Sequence, residues 1–263
     1  MIVTSDELPN FLNTLPTGLS YSALVEIDGF RVPFSISRST NHNILTTYHE
    51  SSYVKANIQN GDMVAGAEWT QQLPGAVIIL ADPTRSTHPD VNYGWGQTPL
   101  DQVFFPKMAA RLSATVGGIL GLNKRVHAGC SEGSFVAIAS SLFDEGSYAW
   151  VNNAQLDWSL LPETSSASKI CESLGFSDLE SFASSYAWRV SIPALQKRLR
   201  STIRLHHEVS DNYLRSPFGE LSQMHLNELE GEVTQNQYSA TTKTGLLTAT
   251  DLGDRIASFL LSL

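Results

Sequence analysis

Charge is scarce in this chain of 263 residues. Asp, Glu, Lys and Arg together make up 16%, against about 25% in ordinary globular domains. Long solvated charge runs and coiled coils are therefore excluded. The charge present leans acidic, 26 Asp and Glu against 17 Lys and Arg, for a formal net charge of −9. An acidic surface repels phosphate backbones, so no nucleic-acid partner is expected. The one dense basic cluster, Lys197 with Arg198, Arg200 and Arg204, reads as a solvated helix face. Cysteine is almost absent. Cys130 and Cys171 lie too far apart for a zinc knuckle and form no CxxC, so both read as reduced and no metal site is expected. No stretch approaches the roughly 18 apolar residues of a membrane helix. The start, MIVTSDELPNFLNTLP, lacks the basic end and apolar run of a secretion signal. The expectation is a soluble, cytoplasmic protein without a membrane span.

There is enough apolar material for a large core, 42% of residues, which excludes whole-chain disorder. No repeat and no Pro/Gly/Ser-rich linker divides the chain, so one domain is expected over 1–263. Leu24–Ile27 and Phe30–Val32 flank Asp28-Gly29, a two-residue hairpin signal that predicts an antiparallel N-terminal pair. Ile44–Tyr48 and Val77–Leu80 are continuous apolar runs, as in strands buried on both faces. Phe104, Met108 and Leu112 recur at helical spacing within 100–120. A strand follows at 125–129, then a helix rich in small side chains at 132–143, and a strand at 149–153. Residues 156–200 contain helical pieces and no clear strand. Residues 202–207 return to strand character, 213–230 look helical, and a last helix with Ile256, Phe259 and Leu260 follows Thr250, a candidate N-cap. This alternation predicts an α/β fold: a mostly parallel twisted sheet with helices on both faces. The stretch 156–200 is then a helical insertion over the carboxyl ends of the strands.

Gly129-Cys130-Ser131-Glu132-Gly133 matches G-x-S-x-G. The pattern alone is weak, and its setting gives it weight: it leaves an apolar strand and opens a helix, as a nucleophile elbow requires. Glycines two residues before and after the serine leave room for strand and helix to approach. The Ser131 hydroxyl is then held clear at the helix N-terminus. The Glu132 amide points at the same spot, and the helix dipole favours negative charge there. Cys130, next door, is expected to point into the core.

With this elbow and strand order, the chain from about residue 20 to its end resembles the α/β-hydrolase superfamily of serine hydrolases. Two stretches, Ala81-Asp82-Pro83 through Tyr93-Gly94-Trp95 and Asn152–Asp157, are also similar to hydrolase-like proteins found beside bacterial surface-polysaccharide genes. The superfamily orders its triad as nucleophile, acid, base. That implies Ser131 as nucleophile and an acid after the strand at 202–209, where Asp211 stands; Asp157 is the alternative, and Asp211 also fits a turn or capping role. The base belongs in the loop before the last helix, here Thr244–Thr248, which holds no histidine. Only His225 follows Asp211 in sequence, in a stretch that also reads as an exposed helix face. His49 closes the strand where the superfamily carries its oxyanion loop. It is a candidate substrate contact or displaced base, and the amide near Glu50 is the candidate second oxyanion donor. His206 and His207 read as core histidines; His88 is placed near the mouth of the site. Tyr93 and Trp95 either stack on a sugar or acyl chain or form a small core of their own.

The resemblance implies a serine hydrolase of carboxylesterase or deacylase type, or an acyltransferase, taking a small-molecule or carbohydrate ester and needing no cofactor. The empty base position supports the alternative of a catalytically degenerate binding protein of the same fold. The sequence carries no signal for oligomeric state.

Overall fold

The computed structural model describes residues 2–27, 29–38, 42–49, 67–84, 91, 94–160, 165–239, 247 and 249–263. Its strands are β1 (Ile2–Thr4), β2 (Ser20–Ile27), β3 (Phe30–Arg38), β4 (Ile44–His49), β5 (Ala76–Leu80), β6 (Lys124–Cys130), β7 (Tyr148–Asn152), β8 (Ile203–Ser210) and β9 (Gly231–Tyr238). They form one sheet in the order β1-β2-β3-β5-β4-β6-β7-β8-β9. β3 runs antiparallel to β2 and β5; every other neighbouring pair is parallel. The expected hairpin is present: Ile27 pairs with Phe30, and Gly29 in the turn has φ +77°, which suits a residue without Cβ. Asp28 lies outside the described residues.

The helices are α1 (Leu8–Thr14), α2 (Phe105–Leu120), α3 (Glu132–Phe143), α4 (Ser165–Ser173), α5 (Leu179–Val190), α6 (Ile192–Leu199), α7 (Asp211–Leu214), α8 (Pro217–Leu226) and α9 (Ala249–Ser262). α2 has a proline in its first turn and stops at left-handed Gly121, the usual asymmetry of helix ends. α1 and α2 cover one face of the left half of the sheet through Leu8, Leu12, Phe34, Ile78, Phe105 and Met108. α3 covers the right half of that face with Phe135 and Ile138, together with Ala149 and Val151 of β7 and Phe182, Ile192 and Leu195 of the 156–200 stretch. On the opposite face, Leu252, Ile256 and Leu260 of α9 pack over Val126, Ala128, Cys130 and Trp150. Every residue of β4 and β5 is buried, so their unbroken apolar runs follow from cover on both faces.

Three parts differ from the sequence expectation. β9 is an edge strand at 231–238, exposed along its length except at Tyr238. An edge strand with so little burial needs no apolar alternation, so GEVTQNQY gives no strand period. α1 and the short β1 precede the expected hairpin, in a stretch for which the sequence reading gives no element. Thr250 falls inside the first turn of α9, which begins at Ala249; Asp251 still places its acid side chain at the positive end of the helix.

The strand order marks where a sheet of this kind usually places a ligand. From β4 the chain moves outward to β5, and from β6 it moves the other way to β7, while β4 and β6 are direct neighbours. Connections leaving adjacent parallel strands in opposite directions open a crevice at their carboxyl ends, the usual ligand position in such sheets. His49 ends β4, and Ser131 follows β6 at this point.

Candidate active site

Ser131 has φ 52° and ψ −122°, a backbone conformation that costs a non-glycine residue of order 1–3 kcal/mol. The cause is local. Its N–H donates to Asn152 O at 3.0 Å, continuing the sheet, while its own C=O accepts from Ser134 N at 3.0 Å, opening α3. One residue thus belongs to both elements. Strand and helix come so close that a Cβ on Gly129 would lie 2.3 Å from Gly133 O and 2.6 Å from Gly133 C. Ser134 Oγ also donates to Ser131 O. Ser131 is half-buried, and the Glu132 amide is the first of α3, where helical geometry offers no intrahelical acceptor. The Glu132 side chain is buried.

The partner of the hydroxyl is an amide. Gln155 Nε2 donates to Ser131 Oγ at 3.1 Å, and Gln155 Oε1 accepts from Trp95 Nε1–H at 2.8 Å. The Gln155 backbone N–H is held by Ser134 Oγ at 2.9 Å. Trp95 is buried, at 1% exposure, and its ring stacks on Trp158 at 4.9 Å between centroids and 6° between planes. Of the two sequence readings of Trp95, the small core is the one its surroundings match; the ring meets Trp158 and not solvent. The loop that carries it is fixed by Asp82, which accepts from Thr84 N at 2.8 Å and Gly96 N at 2.9 Å.

The turn before Gln155 is pinned from several sides. Asn152 Nδ2 donates to Tyr238 Oη at 2.8 Å and to Glu208 O at 3.1 Å. Asn153, left-handed at φ 49°, donates its N–H to Glu208 O and accepts from Ser210 N through Oδ1. Ala154 O accepts from Tyr213 Oη at 2.7 Å and Ser222 Oγ at 2.9 Å. Ala154 N–H donates to His207 Nε2 at 3.3 Å, so neutral His207 carries its proton on Nδ1. Burial presses the His207 imidazole down to about 4. Gln155 did not figure among the sequence-based site residues; the amide side chains of Asn152, Asn153 and Gln155 at the end of an apolar strand were its available signal.

The other sequence-based candidates stand as follows. Asp211 opens α7 at the end of β8 and accepts from Gln237 Nε2 at 2.6 Å and Ser239 Oγ at 2.9 Å; these bonds hold its carboxyl below the ordinary carboxylate range. His225 is half-buried on α8, with Nδ1 3.5 Å from Glu228 Oε1. Asp157 accepts from Ser159 N and Ser159 Oγ, capping the turn Trp158–Leu160. His49 is fully buried, with Nε2 3.3 Å from His127 Nδ1, and His127 Nε2 is 3.1 Å from Asp144 Oδ2. Desolvation, then the neighbouring His127, holds His49 well below the usual imidazole value. Cys130 is buried against the α9 face, and desolvation pushes its thiol up to about 12. Glu50, His88, Tyr93 and residues 244–246 and 248 lie outside the described residues. Ser131 and Glu132 are thus adjacent at the crevice. Among the described residues no histidine hydrogen-bonds to Ser131, and no cluster of His, Cys, Asp and Glu could hold a metal ion.

No protein-family model matches the sequence, and no curated protein matches it. Solved structures do. An esterase of Pyrobaculum calidifontis is 13% identical with a TM-score of 0.55, covering 96% of this chain and 89% of its own. EstE1, a thermophilic carboxylesterase cloned from a metagenomic library, is 13% identical with a TM-score of 0.57 over 96% of this chain and 93% of its own. Dipeptidyl peptidase 4 of Porphyromonas gingivalis gives 10% and 0.57 over 97% of this chain but only 37% of its own. At these identities the likeness is one of fold, and the fold is that of the α/β-hydrolases.

Two outcomes follow from this geometry. Gly129→Ala is expected to destabilise the protein by about 3 kcal/mol or more, because the new methyl meets backbone that cannot move aside; urea unfolding measures it, and a loss below 1 kcal/mol would contradict the close approach. Second, His49 and His207 have folded values below 6.5, so the unfolded chain binds more protons than the folded one as pH falls below 6.5. Stability should therefore fall with acidification, by about 1.4 kcal/mol per pH unit for each group, down to pH near 4 for His207. Urea midpoints at pH 7.5 and 5.5 test this, and equal midpoints would refute it.

Proposed function

We propose that the chain is a serine hydrolase of carboxylesterase or deacylase type, acting on a small-molecule or carbohydrate ester through an acyl-enzyme at Ser131. The observation that carries this reading is the left-handed Ser131 backbone at the crevice. Strain at one non-glycine residue, whose N–H continues the sheet and whose C=O opens α3 beside the close approach that Gly129 allows, presents a single hydroxyl at the start of α3. In the reaction Ser131 Oγ bonds to the ester carbonyl carbon, and the carbonyl electrons move onto oxygen. The Glu132 amide, assisted by the α3 dipole and with the Glu50 amide as second donor, receives that charge. Collapse expels the alcohol, which takes up the proton lost by Ser131, and water then releases the acid; a second alcohol in place of water makes the step an acyl transfer. Asp211 is the proposed acid, placed after β8 and bonded to Ser239 where the loop toward α9 begins. His225 and His49 are the proposed bases from sequence. Neither hydrogen-bonds to Ser131: His49 contacts His127, and His225 sits on α8 with Glu228 3.5 Å from its Nδ1 and no hydrogen bond to either ring nitrogen. General-base help is typically worth 10²–10⁴ in rate, so without it a slow enzyme is expected.

That same feature favours a second reading, a hydrolase-fold protein that binds a ligand without turning it over. Its support is Gln155, which donates to the hydroxyl where a triad places imidazole. A fluorophosphonate probe separates the two. For the enzyme, the probe labels Ser131 with a rate that rises from pH 6 to 9, and Ser131→Ala abolishes labelling in intact-mass spectra. No labelling anywhere in that range would favour the binder.

A further inference from the structure

We infer, building on the reading of Ser131 as nucleophile, that Gln155 is a catalytic residue that polarises the serine oxygen, and that Trp95 is the positioning residue that sets its direction. An indole N–H can only donate. Trp95 Nε1 therefore fixes Oε1 as the end of the Gln155 amide that faces it, 2.8 Å away. The other end, Nε2, must then face Ser131 Oγ, 3.1 Å away, and the serine oxygen must accept. Its own proton is turned away from Gln155.

An uncharged acceptor bond to neutral serine is modest, but the same N–H faces an oxygen whose negative charge grows as the proton leaves. Hydrogen bonds to charged groups are about twice as strong as neutral ones. The amide thus favours the deprotonating oxygen over the resting hydroxyl. The Trp95 ring cannot swing away, because it is buried and stacked on Trp158. Nor can Gln155 drift: its backbone N–H is held by Ser134, and the preceding Ala154 is held through both its N–H and its C=O.

The test uses the full chain and a fluorophosphonate. In that reaction the Oγ–phosphorus bond forms, the phosphorus–fluorine bond breaks with fluoride taking the electron pair, and the serine proton passes to solvent. Gln155→Ala should still unfold in one cooperative transition, at a somewhat lower temperature because the buried Trp95 Nε1–H loses this acceptor, and should label tenfold to a hundredfold more slowly. Gln155→Glu supplies the readout that a purely structural role would not move. A protonated carboxyl can still donate to Oγ, whereas an ionised one cannot. Labelling of this variant should therefore fall relative to wild type as pH rises through the carboxyl titration; a relative rate that climbs instead would overturn the inference. A second arm does not depend on reactivity. The side-chain amide ¹H–¹⁵N resonances of Gln155 should shift in both Ser131→Ala and Trp95→Phe, and resonances indifferent to Ser131→Ala would overturn the bond itself. If wild type fails to label, the nucleophile reading and the polarising role both fall, and the resonances report whether the amide clamp stands on its own.

Discussion

The backbone of residue 131 must serve a strand and a helix at once. Its N–H is held by Asn152 and its C=O by Ser134, so the chain reverses within one residue and the strand and helix backbones nearly touch. Two requirements follow. Gly129 must lack a Cβ, since that atom would meet the Gly133 carbonyl. α3 must be held down firmly enough to offset a strain of about 1–3 kcal/mol. The second requirement explains the composition of α3. Its residues from Glu132 to Leu142 are all buried, and small ones such as Ala137 and Ala139 let α2, the sheet and α6 approach it from three sides.

The same bond that fixes Ser131 also fixes its neighbour strand. Asn152 is the last residue of β7, and three residues later the chain must return Gln155 to the serine oxygen. An irregular segment at the end of a buried strand carries polar backbone groups that no ladder satisfies. Here side chains satisfy them: His207 takes the Ala154 N–H, Tyr213 and Ser222 take its C=O, and Asn153 caps Ser210. Each such bond is worth about 1 kcal/mol net, but leaving a partner unsatisfied costs more. The network therefore specifies one position for the turn and not merely its stability.

How much of this could be seen in the sequence depends on what each feature is made of. The buried strands β4 to β7 and the helices α2 and α3 were legible because burial writes an apolar run or a 3.6-residue period into the chain. The elbow was legible because its close strand–helix approach leaves no room for a Cβ at Gly129, which writes a glycine at a fixed offset from the serine. β9 was not, since an exposed edge strand is held by backbone bonds to β8 and has no apolar period. Gln155 was hidden for a different reason. Its role arises from a tryptophan 60 residues earlier and a serine 24 residues earlier, and neither contact leaves a local spacing. Trp95 was visible as a residue, but its meaning was not: a ring in a polar loop fits a ligand contact and a small core equally well until Trp158 is seen stacked on it.

The missing triad imidazole is more than an omission in one loop, because among the described residues His49, His127, His206 and His207 are held in other hydrogen bonds. With neutral rings, the buried pair has one consistent proton arrangement. Asp144 only accepts, so His127 holds its proton on Nε2; His127 Nδ1 then accepts from His49 Nε2–H, which leaves His49 Nδ1 bare. Arg125 grips the same Asp144 through Nε and Nη2, closing a buried chain from the foot of β6 to the end of β4. His206 lies between Thr234 and Glu208 and stacks on Phe259, where it helps seat α9. His207 supports Ala154, His225 lies by Glu228, and His42 is exposed. Freeing His49 to act as a base would require breaking its contact with His127 and bringing a buried ring to the crevice. Among the described residues, the side chain that meets the Ser131 hydroxyl is thus an amide and not an imidazole.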